Sequence, residues 1–172
     1  MIVAVQPIVI YGNPVLREAS QPVENINQKI KDLVSDMVDT LKKANGLGLS
    51  AVQIGVLKKI FIVDLSAIDI NATLKVFINP EIIEKSEELV EMEEGCLSFP
   101  GIYQKISRSA KVKIKALDLN GKEFTMEAEG LLARAFLHEY CHLKGELFID
   151  LISPMARTML RSKLKKLART SS

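Results

Sequence analysis

Histidine occurs only twice in this chain, at His138 and His142, and Glu139 stands between them in the stretch His138-Glu139-Tyr140-Cys141-His142. A spacing of four carries both imidazoles onto one face of a helix, near enough to share one ion. A helix is therefore expected here, opened by Gly130 and closed by Gly145. On such a helix the glutamate beside the first histidine can act as general base on a water that the metal activates. The bland alternative is a pair of core or surface histidines on an amphipathic helix, which a chain so poor in histidine makes the weaker reading.

The rest of the pattern surrounds that helix with strands. Ile26, Ile30, Leu33, Val34, Met37, Val38 and Leu41 follow the helical period over 26–44. Asn25 or Asn27 can cap the start, and Asn45-Gly46 can stop it. A glycine-punctuated loop, 46–55, leads into a strand over 59–64, and 66–73 reads as a loop. Residues 74–79 and 81–91 are strand-like, the second acidic enough to be an edge. Residues 111–117 and 124–128 alternate polar and apolar side chains around Asn120-Gly121, a strong hairpin signal. Pro154 begins a last amphipathic helix through Met155, Met159, Leu160, Leu164 and Leu167. With no repeats and no linkers, this describes a single α+β domain over 1–172, not a doubly wound parallel sheet.

Composition narrows the class. At 172 residues, with 48% hydrophobic and 26% charged residues, the chain is neither disordered nor membrane-like. Its net charge of +2 does not argue for a specific nucleic-acid partner, and no apolar run reaches the length of a membrane span. The apolar start, residues 1–10, lacks a basic region and a cleavage site and reads as an extended arm or strand, not a signal peptide. Two cysteines are too few for a disulfide framework, and one lies inside the histidine motif, which favours metal or catalytic use in a reducing compartment.

Two histidines need a third ligand to hold a catalytic metal with one open position. Cys141 lies on the same helix and points about a hundred degrees away from His142, so it closes a tetrahedral site poorly. Cys96, in the turn-rich Glu94-Gly95-Cys96-Leu97-Ser98 segment, can approach the helix from outside and is the better candidate. The loop Gly46-Leu47-Gly48-Leu49-Ser50-Ala51-Val52-Gln53 formally fits a dinucleotide fingerprint, but a helix precedes it where that fingerprint requires a strand. What remains is a backbone that can approach a ligand closely, and Gln53, whose carboxamide can donate to a developing oxyanion.

Taken in order, Gly46 to Gln53, Glu94 to Ser98 and Leu137 to His142 resemble the G-x-G-x-A-A-x-Q, E-G-C-L-S and Q-H-E-x-D-H motifs of the peptide deformylase family. The stretches 12–17, 79–81 and 152–154 also look like that family, so the resemblance spans nearly the whole chain. It implies mostly antiparallel sheets packed around the central histidine helix, followed by a C-terminal helix. It also implies removal of the formyl group from the N-terminal methionine of nascent polypeptides in the bacterial cytoplasm. Cys96, His138 and His142 would hold one divalent metal, ferrous iron first, with zinc, nickel or cobalt as alternatives that the ligands alone do not separate. Glu139 would be the general base, and the Gln53 amide and the Leu97 backbone N–H would stabilise the oxyanion. An extended substrate would pair its backbone with Gly46, Leu47 and Gly48 and with the stretch Glu94, Gly95 and Cys96, and Leu47, Leu131, Arg134 (through its methylenes) and Ala135 would line the slot for the methionine side chain. The basic run 157–169 leaves room for a transient ribosome contact.

Three motif positions depart from the family. Ser50 replaces an alanine, a sterically mild change, while Leu137 and Cys141 replace glutamine and aspartate beside the metal ligands. The expectation is a working enzyme with altered support for its histidines. The rivals are a His-Glu-x-x-His metallopeptidase, which leaves Cys96 and Gln53 unexplained, and a catalytically silent homologue that binds nascent chains or the ribosome.

Overall fold

The computed structural model describes residues 4–171, so positions 1–3 of the expected N-terminal arm lie outside the described residues. Residues 4–10 form no helix or strand, and the arm is fastened by Val9 N–H to the Gln53 carbonyl (2.7 Å) and Tyr11 N–H to the Ser98 carbonyl (2.9 Å).

Helix α1, Gln28–Ala44, starts where the Asn27 side chain accepts from Ile30 N–H and stops where Asn45 turns left-handed at φ 53°. Ile30, Val34, Met37 and Leu41 form its buried stripe. Strands β1 (Gly48–Ser50), β2 (Ile60–Asp64), β3 (Leu74–Lys85), β6 (Lys111–Leu117) and β7 (Glu123–Glu129) make one antiparallel sheet in the order β1-β2-β3-β6-β7. Strands β4 (Leu89–Gly95) and β5 (Tyr103–Ser109) make a second, two-stranded sheet. The α+β class and the 111–128 hairpin follow the sequence pattern. Val112, Ile114 and Ala116 point inward along β6, and the Asp118 carboxylate accepts from Asn120 and Lys122 N–H to shape the turn.

The division of the acidic stretch differs from the sequence reading. Residues 74–85 form one strand through Asn79-Pro80, and 89–95 belong to the other sheet. Proline cannot donate to the ladder, and the β3–β6 register shifts between Ile78 and Glu81 to absorb it. Asn79 takes φ 49° and exchanges both side-chain hydrogen bonds with the Val23 backbone, each at 2.8 Å. That anchor bends the strand without ending it. Strand β5 carries no strong periodic apolar signal, and the sequence pattern assigns no strand there.

Helix α2, Gly130–Leu143, lies across the inner faces of both sheets. Phe136 packs on Phe77 (ring centroids 4.8 Å apart), which stacks on Phe61 at the same distance, so the helix is pinned by an aromatic cluster. Gly130 and Gly145 bracket it at φ 61° and 73°. A side chain at Gly145 would collide with the Arg17 carbonyl, because the 14–20 segment packs tightly beneath the helix end. Helix α3, Pro154–Thr170, is capped by Ser153 and buries Leu160 and Leu164 against Leu16, Phe99 and Phe148. This cluster underpins the loop that carries Cys96.

Candidate metal centre and active site

Helix α2 projects His138, Glu139 and His142 inward, and the turn after β4 brings Cys96 up to them. The ligand atoms of Cys96, His138 and His142 lie within 4.8 Å of one another, with Cys96 Sγ 3.4 Å from His142 Nε2. Ligands at ordinary Zn–S and Zn–N lengths around a tetrahedral ion stand about 3.5 Å apart. The donor set, one thiol and two imidazoles on a buried face, thus fits a divalent metal. His138 Nδ1 is held at 2.9 Å by Glu94 Oε1, which leaves Nε2 as the free donor of that ring. His142 Nδ1 is buried with no partner among the described residues.

Glu94 anchors a buried ionic network. Its Oε2 accepts from Arg108 Nε (2.6 Å) and Arg134 Nη1 (2.7 Å), and its Oε1 accepts from Arg108 Nη2 (3.1 Å) besides facing His138. Burial alone would raise its pKa, but the hydrogen bonds from His138 and Arg108 prevail and hold it at about 2. Arg134 also donates to the carbonyls of Ile106 and Val90, so its guanidinium is held from three sides. Burial opposes charge on His138, yet the Cys96 sulfur and Glu94 beside it raise its pKa well above the ordinary value. Burial and the His138 charge press His142 the other way.

Glu139 is held between α2 and β1. Its Oε2 accepts from the Ser50 hydroxyl at 2.7 Å, and its Oε1 lies against Gly48, where an added Cβ would come within 3.0 Å of it. Burial raises its pKa, the direction a general base at neutral pH requires. The Gln53 carboxamide is oriented from both ends. Its oxygen accepts from Ser50 N–H (2.9 Å), so its NH2 points to Ser98 Oγ (3.1 Å) and Cys96 Sγ (3.5 Å).

A cleft of about 520 Å³ opens over this centre. Leu47, Gly48, Gln53, Glu94, Gly95, Cys96, Leu97, Leu131, Arg134, Ala135, His138 and Glu139 all line it, so the residues singled out in the sequence converge on one place, with His142 just beneath. Leu131 is 44% exposed at the mouth, while Ala135 and Arg134 form the floor. The Tyr103 ring covers Gly95, its register partner across β4–β5, which leaves no room for a side chain there.

The polypeptide deformylase family model matches residues 5–158. The chain belongs to the polypeptide deformylase family. It is 43% identical over 166 residues to the peptide deformylase of Rhizobium meliloti, covering 96% of this chain and 95% of that one. Peptide deformylase 1 of Clostridium perfringens is 51% identical over 136 residues, covering 79% and 90%. The crystal structure of a peptide deformylase from Legionella pneumophila superposes with a TM-score of 0.89 at 41% identity over 97% of both chains. That of Thermus thermophilus gives 0.89 at 35% identity, over 98% of this chain and all of that one. This deformylase-family chain is therefore an enzyme of the hydrolase class. The family is metal-dependent, and Cys96, His138 and His142 form the one group of three donors found among the described residues. Among those residues no helix is long and apolar enough to cross a membrane.

Three side-chain roles lie outside the sequence reading: the Glu94 carboxylate turns inward to His138, the pocket-lining Arg134 joins its guanidinium to that network, and Arg108 completes it. Arg108 sits two residues after buried Ile106 on the same face of β5, and a charge in phase with a buried apolar residue is the signal that could have flagged it. The departures are now placed: Leu137 packs into the apolar core, and Cys141 Sγ receives Arg108 Nη1 at 3.4 Å.

Proposed function

We propose that this chain removes the formyl group from the N-terminal methionine of newly made polypeptides, releasing formate. The observation that carries the reading is the convergence of the Cys96, His138 and His142 donors, the buried Glu139 carboxylate and the oriented Gln53 amide at the floor of one cleft. Cys96, His138 and His142 would hold the metal, ferrous iron by family resemblance; bound there, a divalent cation supplies Lewis acidity and lowers the pKa of water.

Glu139 takes the proton of the attacking water as its oxygen adds to the formyl carbon. The same carboxyl then returns that proton to the amine nitrogen as the C–N bond breaks, leaving formate and a free N-terminus. The Gln53 NH2 and the Leu97 backbone N–H donate to the oxyanion, each such donor worth about 3 kcal/mol in the transition state. Glu94 holds His138 in one tautomer and orientation. The peptide lies extended between β1, which among the described residues pairs with β2 alone, and the Glu94–Gly95 end of β4, which among them pairs with β5 alone. Leu47, Leu131, Ala135 and the Arg134 stem receive the methionine side chain. Such a reaction belongs in the cytoplasm, where formylated chains emerge, and the basic residues of α3 offer a transient ribosome contact.

Formate release from a formyl-Met peptide by anaerobically iron-loaded protein tests the proposal. Turnover is expected, and it should be abolished in both His138→Ala and Glu139→Gln. Turnover that survives either substitution, or cleavage of internal amide bonds in place of formate release, would overturn it.

A further inference from the structure

Ser50 departs from the alanine of the family motif, and the structure gives that departure an occupation. Gly48 and Ser50 are two apart on β1 and therefore share the face turned to α2. Both meet Glu139: Gly48 by having no side chain where Oε1 lies, Ser50 by a hydroxyl 2.7 Å from Oε2 and 3.0 Å from the Glu139 backbone carbonyl. Ser50 is wholly buried, so no water competes for these contacts. A hydroxyl carries a single hydrogen, and of its two acceptors the ionised carboxylate is the stronger.

We infer that Ser50 is a positioning residue for Glu139, an inference that rests on the general-base reading above. Its buried hydroxyl holds Oε2 against β1. The carboxylate therefore waits in one orientation, with Oε1 available on the Gly48 side, and does not search among rotamers at each turnover. An alanine at this position preserves the space and loses the hold. The Ser50 backbone N–H, which any residue but proline would supply, separately orients Gln53, so a side-chain change at 50 tests the hydroxyl alone.

The experiment compares Ser50→Ala, Ser50→Thr and Glu139→Gln as metal-loaded enzymes, together with a crystal structure of metal-free Ser50→Ala. With the hydroxyl lost, kcat should fall about tenfold, the loss expected for one hydrogen bond to a charged group, while KM and metal content stay at parental levels. Ser50→Thr, which keeps the hydroxyl, should restore most of kcat. In the metal-free crystal the Glu139 carboxylate should leave its place beside β1 or occupy more than one rotamer. Parental kcat in Ser50→Ala, or a rise in KM at unchanged kcat, would overturn the inference. So would an undisturbed Glu139 in the crystal. Glu139→Gln separates the two levels. If it is inactive while Ser50→Ala is parental, the positioning role alone falls; if it turns over, the general-base reading falls and takes this inference with it.

Discussion

Replacing Glu94 by glutamine tests how the metal centre is supported. The carboxylate faces four nitrogens, two at each oxygen: Arg108 Nη2 and His138 Nδ1 at Oε1, and Arg108 Nε and Arg134 Nη1 at Oε2. A carboxamide keeps one acceptor oxygen and turns an NH2 toward the other pair, so two donors are left without an acceptor in a site shielded from water. Both guanidiniums also lose their only counter-charge within the network. Breaking a buried ion pair from one side costs about 3–5 kcal/mol. The depression of the Glu94 pKa from 4.5 to about 2 leads independently to about 3 kcal/mol. Urea unfolding of the metal-free Glu94→Gln protein should therefore give a stability about 3 kcal/mol below the parent at neutral pH, with a similar m-value. Chelator competition should show metal affinity reduced about 10–100-fold, since His138 loses its fixed partner. A stability within about 1 kcal/mol of the parent, together with parental metal affinity, would refute the argument that this carboxylate carries both the arginines and the histidine.

Gly48→Ala places a methyl group 3.0 Å from Glu139 Oε1, and steady-state kinetics should show kcat reduced by about tenfold as the carboxylate is displaced. Because the Glu94 pKa is depressed in the folded state, the stability it contributes is complete above pH 4.5 and lost as the pH falls from 4.5 towards 2. Acid titration followed by circular dichroism should show that loss in the parent and not in Glu94→Gln. Cys141→Asp puts a second carboxylate beside Arg108, where two buried guanidiniums now share a single one; thermal denaturation should show a gain of about 1 kcal/mol and chelation should show slower metal loss. Gly145→Ala forces a Cβ against the Arg17 carbonyl at a left-handed residue, and should lower stability by more than about 1 kcal/mol in the same melts.

The parts of the fold that were legible in the sequence are those whose signal is local. The α1 stripe with its Asn27 cap, the 111–128 hairpin and the glycine-bracketed α2 each depend on residues within a dozen positions of one another. The division of the 74–95 region is not legible locally, because Asn79-Pro80 reads as a strand break where the chain in fact continues as one strand. The decisive fact is a tertiary one, the Asn79 side chain gripping the Val23 backbone 56 positions earlier. Strand β5 escaped for a related reason. Its pairing with β4 is enforced by the Tyr103–Gly95 contact and by Arg108, neither of which carries a periodic apolar pattern.

The site divides along the same line. A His-x-x-x-His spacing is a property of one helix, so the two histidine donors can be read without knowing the fold, and a thiol in a turn can be proposed as the third. What fixes those donors cannot be read that way. Glu94 reaches His138 across 44 positions and Ser50 reaches Glu139 across 89, and each contact exists only because α2 crosses the ends of β1 and β4 at one point. Glu94 and Cys96 share this logic: they are two apart, before and within the same turn, and both face α2, Glu94 holding the His138 ring from behind and Cys96 meeting the His142 ring at Nε2. The departures at 50 and 141 follow from it too. Neither replaces a donor, and each changes what holds a group in place, Ser50 adding a hold on the carboxylate and Cys141 withdrawing a charge from Arg108. Substitutions of that kind leave the donor set intact while altering how firmly it is aimed, so they should register in kcat and metal exchange before they register in substrate affinity.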